Sequence, residues 1–492
     1  MFPYKTSIQL DKNLKEPLYL QLSNQLIALI NQGKLTSGTR LISSRQLADL
    51  LNIHRKTVVA SYEELVLQGW LESIPKKGTF INTNLPVLHQ QELANDKLSI
   101  LKDSSNFSFY KNEVLQSKAS TRKDSWIYIN DGTSDGRLTP VDDIARIYRR
   151  ILAKKDIYKQ LDYNSTYGND SLRETLVTYL NNSRGLKISK ENILITRGSQ
   201  MGMWLSAQLL LKKEDIIIVG ETNYSSADFT FLNTEATLKR VPVDTCGLVT
   251  QEIEELCKKQ TIKAVYITSH HHHPTTVTLS AERRIHLLNL AKQYGFAVIE
   301  DDYDYDFNYD HAPILPLASH DTCGNVIYVG SICKTVAPVF RIGYLIASKD
   351  FVEEAAKLRG YIDRQGDALL EMTFATFIKS GDLDRHIRKV MKIYEQRRDL
   401  FCKLLNEELG VYFSFEIPKG GMAVWMTLDK KYSWKQLQTE ARKHLLEIGD
   451  YTRYDVAKTN HNAIRIGFAS YNEDEIHELI DKLKKTIKGI TN

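Results

Sequence analysis

The chain has 492 residues, 42% hydrophobic and 25% charged, with a net charge of +5. That length predicts two to four domains with ample core, and the composition is ordinary for a globular protein. Five cysteines without a CxxC pair predict reduced thiols, and no apolar run reaches the roughly 18–20 residues of a membrane span, so a soluble, cytoplasmic protein without a signal peptide is expected.

The charge is uneven. Residues 1–82 hold ten Lys/Arg against six Asp/Glu, while the remaining 410 hold 55 against 54. A basic N-terminal segment is what a nucleic-acid partner requires, though solvated surfaces also reach that excess. Residues 17–32 carry Leu18, Leu22, Leu26, Ile27, Leu29 and Ile30 at helical spacing and end at Gly33. Ser44 is the expected cap of a second helix over 45–51. After the Asn52-Ile53-His54 turn, residues 55–68 form a third helix that buries Val58, Val59, Tyr62, Leu65 and Val66. Residues 70–74 and 79–81 then read as strands around Pro75-Lys76-Lys77-Gly78.

Two short helices, a tight turn and a basic-tipped hairpin form a winged helix-turn-helix pattern. The third helix would present His54, Arg55, Lys56 and Thr57 to a DNA major groove. Ser44 and Arg45 would meet the backbone or a base edge, and Lys76, Lys77 and Gly78 would bring the wing to a phosphate or the minor groove. The segments Gly38-Thr39-Arg40-Leu41, Ser43-Ser44-Arg45-Gln46-Leu47-Ala48, Arg55-Lys56-Thr57-Val58 and Gly78-Thr79-Phe80 resemble the GntR-family winged helix. Ile42 departs from that family's usual Pro, which predicts a slightly looser turn.

From 83 to 123 the pattern is polar and aperiodic, as in an extended tether, with a short strand expected at 107–110. From Ser125 onward, helical stretches alternate with apolar strands at 193–195, 216–219, 264–268, 297–299 and 326–329. This is an α/β pattern with a largely parallel sheet, whose ligands bind beyond the carboxyl ends of the strands. Three motifs fall there. Gly198-Ser199-Gln200 opens a helix toward an anion. Asp301-Asp302-Tyr303 puts a carboxylate two residues before a phenol. That suits a protonated ring nitrogen and a ring oxygen, but also an acidic loop or a metal site. Ser331 and Lys334, with Arg341 following, suit an amine that forms a Schiff base beside a phosphate. Pyridoxal 5'-phosphate (PLP) is the cofactor that needs these parts. Tyr224 could stack on its ring. Arg465 interrupts an apolar strand and suits either a ligand carboxylate or a structural salt bridge. The run His270-His271-His272-His273 does not suit a metal, because consecutive residues of an extended chain face opposite ways.

These motifs, with Gly132, Asp135 and Pro140, Tyr163 to Gly168, and Pro274-Thr275, resemble fold-type I, class I/II aminotransferases over about residues 126–485. The whole chain resembles the MocR/GabR-type regulators of the GntR family, which join that domain to a winged helix. The resemblance implies a multidomain protein. A small α+β winged helix (1–82) and a linker (83–123) precede a large α/β PLP-binding domain (124–492). It implies Lys334 as the PLP lysine, Asp301 at the pyridine nitrogen and Tyr303 at the ring oxygen. Ser199, Gln200, Ser331 and Arg341 would hold the phosphate, joined by Tyr163 from a partner subunit, and Arg465 would clamp an effector carboxylate. His273 stands where the aminotransferases place Asn and the regulators often an aromatic, and is expected to touch cofactor or effector. Ser165 and Thr166, in place of a usual Asp-Pro, and Thr276, in place of Gly, depart from the pattern.

The function expected is PLP-dependent transcriptional regulation. A head-to-tail homodimer would bind two half-sites of double-stranded DNA and sense PLP, an amine or an amino acid. The alternative is a working aminotransferase with an accessory DNA-binding domain.

Overall fold

In the computed structural model, the structure describes residues 2–85, 104–105, 107–110, 125–310, 314–332, 334–459 and 461–491. The chain divides into two compact units, Met1–Ala119 and Ser120–Asn492.

The first unit packs helices Leu18–Asn31, Ser44–Leu51 and Arg55–Leu67 with an antiparallel hairpin, Leu71–Ile74 and Gly78–Ile81. Its core is its own: Leu22, Leu26, Leu47, Val58, Leu65 and Ile81 are almost wholly buried. Each such aliphatic side chain contributes about 1.5–3 kcal/mol of burial. The second helix starts one residue earlier than expected. Ser43, not Ser44, is its cap, in a box where Ser43 and Gln46 each bond the other's backbone amide at 3.3 Å. The turn at Ile42 is tied down, because the Tyr62 hydroxyl donates to the Ile42 carbonyl at 3.0 Å. His54 caps the third helix by accepting from the Lys56 amide at 3.2 Å.

Most of the expected tether lies outside the described residues. Residues 107–110 are described and form no strand; Phe107, Phe109 and Tyr110 are exposed there. A strand needs a neighbour for its amides, and none of the described strands pairs with this segment.

The second unit is built on a seven-stranded sheet. Its order is Ile193–Thr196, Gly343–Ile346, Val326–Ser331, Ala297–Asp302, Ala264–Ile267, Ile216–Gly220 and Thr237–Val241. Only Gly343–Ile346 runs antiparallel to its neighbours. The strands are Val/Ile-rich and buried, as helices on both faces of a parallel sheet require. A three-stranded antiparallel sheet, Phe413–Phe415, Ala423–Leu428 and Ala463–Gly467, packs with the long helices Asp382–Leu409 and Glu473–Thr491. Among the described residues, no helix is long and apolar enough to cross a membrane.

Candidate functional site

Most of the expected site residues of this unit fall at or just after the carboxyl ends of five strands of the large sheet, and the loop Asn130-Asp131-Gly132 meets two of them, Lys334 and His273. Lys334 follows the strand Val326–Ser331, and its Nζ donates to the Gly132 carbonyl at 2.6 Å. It stands 5.8 Å from the centre of the Tyr303 ring. Burial pushes the amine below its ordinary value, while the Asp131 charge pulls the other way. A lysine shifted downward is a better nucleophile at neutral pH.

Asp301 ends the strand Ala297–Asp302 and is 3% exposed. The Tyr266 hydroxyl donates to its Oδ2 at 3.0 Å, but its Oδ1 has no hydrogen-bond partner. Burial raises this carboxyl to about 7, against the Tyr266 bond and with Asp302 and Asp304 adding to the rise. A buried carboxylate with one bare oxygen is a seat for a ring N–H, so the residues present fit PLP. Tyr303 does not hold its hydroxyl free. It donates to the His271 carbonyl at 2.8 Å and receives Arg465 Nη2 at 3.3 Å.

The expected phosphate residues come together around Gly198. Ser199 and Gln200 open the helix Ser199–Leu210, with amides pointing out of its first turn. Gly198 has φ +74°, and a Cβ there would stand 2.9 Å from Arg341 Nη2. Only glycine lets that guanidinium lie over the helix start. Arg341 donates to the Arg197 carbonyl at 2.8 Å. Ser331 faces Gly343 across the strand pair and donates to the Ile342 carbonyl at 3.3 Å. Gln200 spends its amide on the Thr230 hydroxyl at 2.8 Å. Tyr163 is 72% exposed under the Arg364 guanidinium, and no described contact joins it to this cradle.

Arg465 is 2% exposed and donates three times to neutral oxygens: the Asp131 carbonyl at 2.8 Å, the Pro274 carbonyl at 3.1 Å and the Tyr303 hydroxyl. No carboxylate lies within ion-pair distance of it among the described residues, so it is not a structural salt bridge. Tyr224 sets its ring edge-on to His273, centroids 4.9 Å apart. Burial pushes His273 down to about 4, leaving it neutral at physiological pH. The four histidines take four different partners: Asp302, Asp304, Thr275 and, at 3.7 Å, Asp131. Among the described residues no cluster could hold a metal ion.

Sequence reasoning missed Asp131, Tyr266, Arg453 and Trp425. Tyr266 was visible as a phenol in an apolar strand, but Tyr328 and Tyr344 share that signal. Asp131 directly precedes Gly132, but nothing local ties it to Lys334. Arg453 and Trp425 come near only through the C-terminal sheet.

In the first unit, Arg45, His54, Arg55, Lys56 and Lys77 are exposed, and Ser44, Thr57 and Gly78 are half-buried. Arg55 Nε donates to the Ser44 hydroxyl at 3.5 Å, joining the two helices of the expected DNA face. Arg40 was not among the expected contacts. Its Nε would stand 3.0 Å from a Cβ on Gly78, so its guanidinium lies flat on the wing. Arg40, Ser43, Ser44, Gln46 and Thr79 line a cavity of about 550 Å³ between wing and helix. None of Arg40, Arg45, Arg55, Lys56 or Lys77 has a carboxylate within ion-pair distance among the described residues.

The aminotransferase class I and II family model matches residues 129–483, and that of bacterial regulatory proteins, gntR family, matches residues 18–81. The uncharacterized HTH-type transcriptional regulator YdeL of Bacillus subtilis (strain 168) is 27% identical over 97% of this chain and 98% of its own length. The probable rhizopine catabolism regulatory protein MocR of Rhizobium meliloti is 24% identical over 98% of this chain and 96% of its own. The crystal structure of Pyrococcus horikoshii kynurenine aminotransferase, in complex with PMP, is 29% identical with a TM-score of 0.71, covering 78% of this chain and 98% of that one. The protein is thus a transcriptional regulator of the GntR type with an aminotransferase-like domain. It belongs to the class I and II aminotransferase family and has the MocR architecture.

Proposed function

We propose that this regulator is PLP-dependent, and that its large domain senses a small amine or amino acid which changes its affinity for an operator. The bare, buried Asp301 Oδ1, in a domain that also carries the buried Lys334 and the Gly198–Arg341 cradle, is the observation that carries this reading. Lys334 would hold the cofactor covalently, Asp301 would hold its ring nitrogen, and Ser199, Gln200, Ser331 and Arg341 its phosphate. Bound PLP supplies a carbonyl that condenses with primary amines and a ring that draws electrons from them. Tyr224 and His273 would contact the cofactor or effector, Tyr303 would pair with the ring oxygen, and Arg465 would take the effector's carboxylate.

The reading assigns residues 1–82 to operator binding, 83–123 to a tether and 124–492 to sensing. The dimer is head-to-tail, with the partner subunit's Tyr163 at the phosphate, and it grips two half-sites. Effector binding can shift operator affinity only by its differential affinity for the two arrangements. Lys334→Ala tests the reading. It should abolish the cofactor's visible absorbance and the effector response in an operator-binding assay. A variant that still responds fully to effector would refute it.

The completeness of the lysine, carboxylate and arginine set also supports a second reading, a working aminotransferase. Steady-state turnover with a panel of amino donors and 2-oxo acids separates the two. Rates within the usual enzyme range of about 1–1000 per second favour the enzyme.

A further inference from the structure

We propose that the effector is an amino acid with a single carboxylate and an uncharged aromatic side chain, and that Asp131 enforces this choice. The inference rests on the PLP-dependent sensing reading above.

The loop Asp131-Gly132 lies where the effector must sit. Its Gly132 carbonyl takes Lys334, and its Asp131 carbonyl takes Arg465. Two guanidinium groups approach this loop. Arg465 meets only neutral oxygens, so its charge is open to a carboxylate. Arg453 instead faces a carboxylate, although its buried Nε has no hydrogen-bond partner among the described residues. Its Nη2 donates to the Tyr454 hydroxyl at 2.5 Å and lies 3.7 Å from Asp131 Oδ2, and its guanidinium stacks 4.6 Å over the Tyr454 ring. Of the two, only Arg465 has no carboxylate within ion-pair distance among the described residues, and it is the one placed to take an effector carboxylate.

Asp131 seals the other. The same Oδ2 lies 3.7 Å from His273 Nε2, and burial opposes its charge less than His273, Lys334 and Arg453 favour it. A second effector carboxylate at Arg453 would be forced against Asp131. A distal ammonium would meet Arg453 instead, since both would compete for that oxygen.

Aromatic rings gather around His273. Tyr224 and His273 are 4.9 Å apart, His273 and Tyr303 6.3 Å, and His273 and Tyr454 6.5 Å. Tyr454 meets Trp425 edge-on at 5.5 Å. These spacings are those at which aromatic rings attract one another. Trp425 is the cross-strand partner of Arg465 and so shares its face of the sheet. Trp425 also borders a separate cavity of about 700 Å³ with His461 and Thr275.

The test uses the full-length, cofactor-loaded protein. Phenylalanine, tyrosine and tryptophan, aspartate and glutamate, and lysine are titrated while visible absorbance and operator affinity are read. Aromatic amino acids should act at concentrations about tenfold or more below the acidic ones. Asp131→Asn, checked for intact cofactor absorbance, should narrow that gap by about tenfold by freeing Arg453. Trp425→Leu should weaken the aromatic response alone. Acidic or basic amino acids acting as well as aromatic ones on the parent protein would overturn the inference. So would an Asp131→Asn variant with an unchanged ratio. No response to any amino acid, with cofactor absorbance intact, would instead overturn amino-acid sensing itself, and the inference with it.

Discussion

Replacing Asp301 with Asn should make the cofactor-free protein more stable at alkaline pH and the cofactor-loaded protein weaker. The Asp301 carboxyl is raised to about 7, first by burial and then by Asp302 and Asp304. Its unfolded value is near 3.8. The folded state therefore holds a proton that the unfolded state releases between those values, and stability falls as pH rises through that window. The charge costs about 4 kcal/mol well above pH 7 and about 1–2 kcal/mol at pH 5. Asn cannot ionise. Its own cost, a buried amide beside Tyr266, does not depend on pH. The stability of variant over parent should thus grow by about 2–3 kcal/mol between pH 5 and pH 8. With PLP, the variant loses a charge-assisted bond to the ring nitrogen, about 1.5–3 kcal/mol or roughly 10–100-fold in cofactor affinity. Thermal unfolding of the cofactor-free proteins at both pH values reads the first effect, and cofactor titration at pH 8 reads the second. A variant-to-parent gap that stays constant or shrinks with pH would refute the reasoning, as would undiminished cofactor affinity.

Arg341→Gln should cost about 1.5–3 kcal/mol of cofactor binding by removing the charge over the Ser199–Leu210 helix start, measured by cofactor titration and dialysis. Arg55→Ala should weaken operator binding by about 1–3 kcal/mol while leaving cofactor absorbance unchanged; loss of both would report misfolding. Arg40→Gln should lower the slope of log affinity against log salt by about one, equally on specific and nonspecific DNA, because an arginine lying on the wing meets phosphate rather than a base.

Features of the chain that depend on neighbours in sequence were legible before any coordinates. Apolar runs such as Ile216-Ile217-Ile218-Val219 are strands because each is short, β-branched and buried on both faces. Lys334 follows such a run and could be placed beyond its end directly, whereas the strand expected at 297–299 continues through Asp302 and includes Asp301. Caps were legible only to within a residue: Ser43 and Ser44 are chemically equal, and the choice falls to whichever serine meets Gln46 three positions on. The strand expected at 107–110 failed because aromatic content favours a strand only when a partner edge exists. The least legible parts were those joined over distance. Asp131 stands hundreds of residues before Trp425 and Arg453, and only folding brings Arg453 to Asp131 and Trp425 beside Arg465. Tyr303 was assigned a ring oxygen by its spacing from Asp301, yet its hydroxyl lies between His271 and Arg465.

The bonds from Gly132 to Lys334 and from Asp131 to Arg465 tie the opening loop of the large unit to its last strand. The winged-helix core, by contrast, draws only on residues before 86. A nonsense change anywhere between these two regions would therefore not yield a silent protein. It would yield one that still carries the winged-helix core but has lost the arginine and, where the stop falls before Lys334, the lysine as well. Truncated alleles of such a gene would keep a winged helix that effector control no longer reaches.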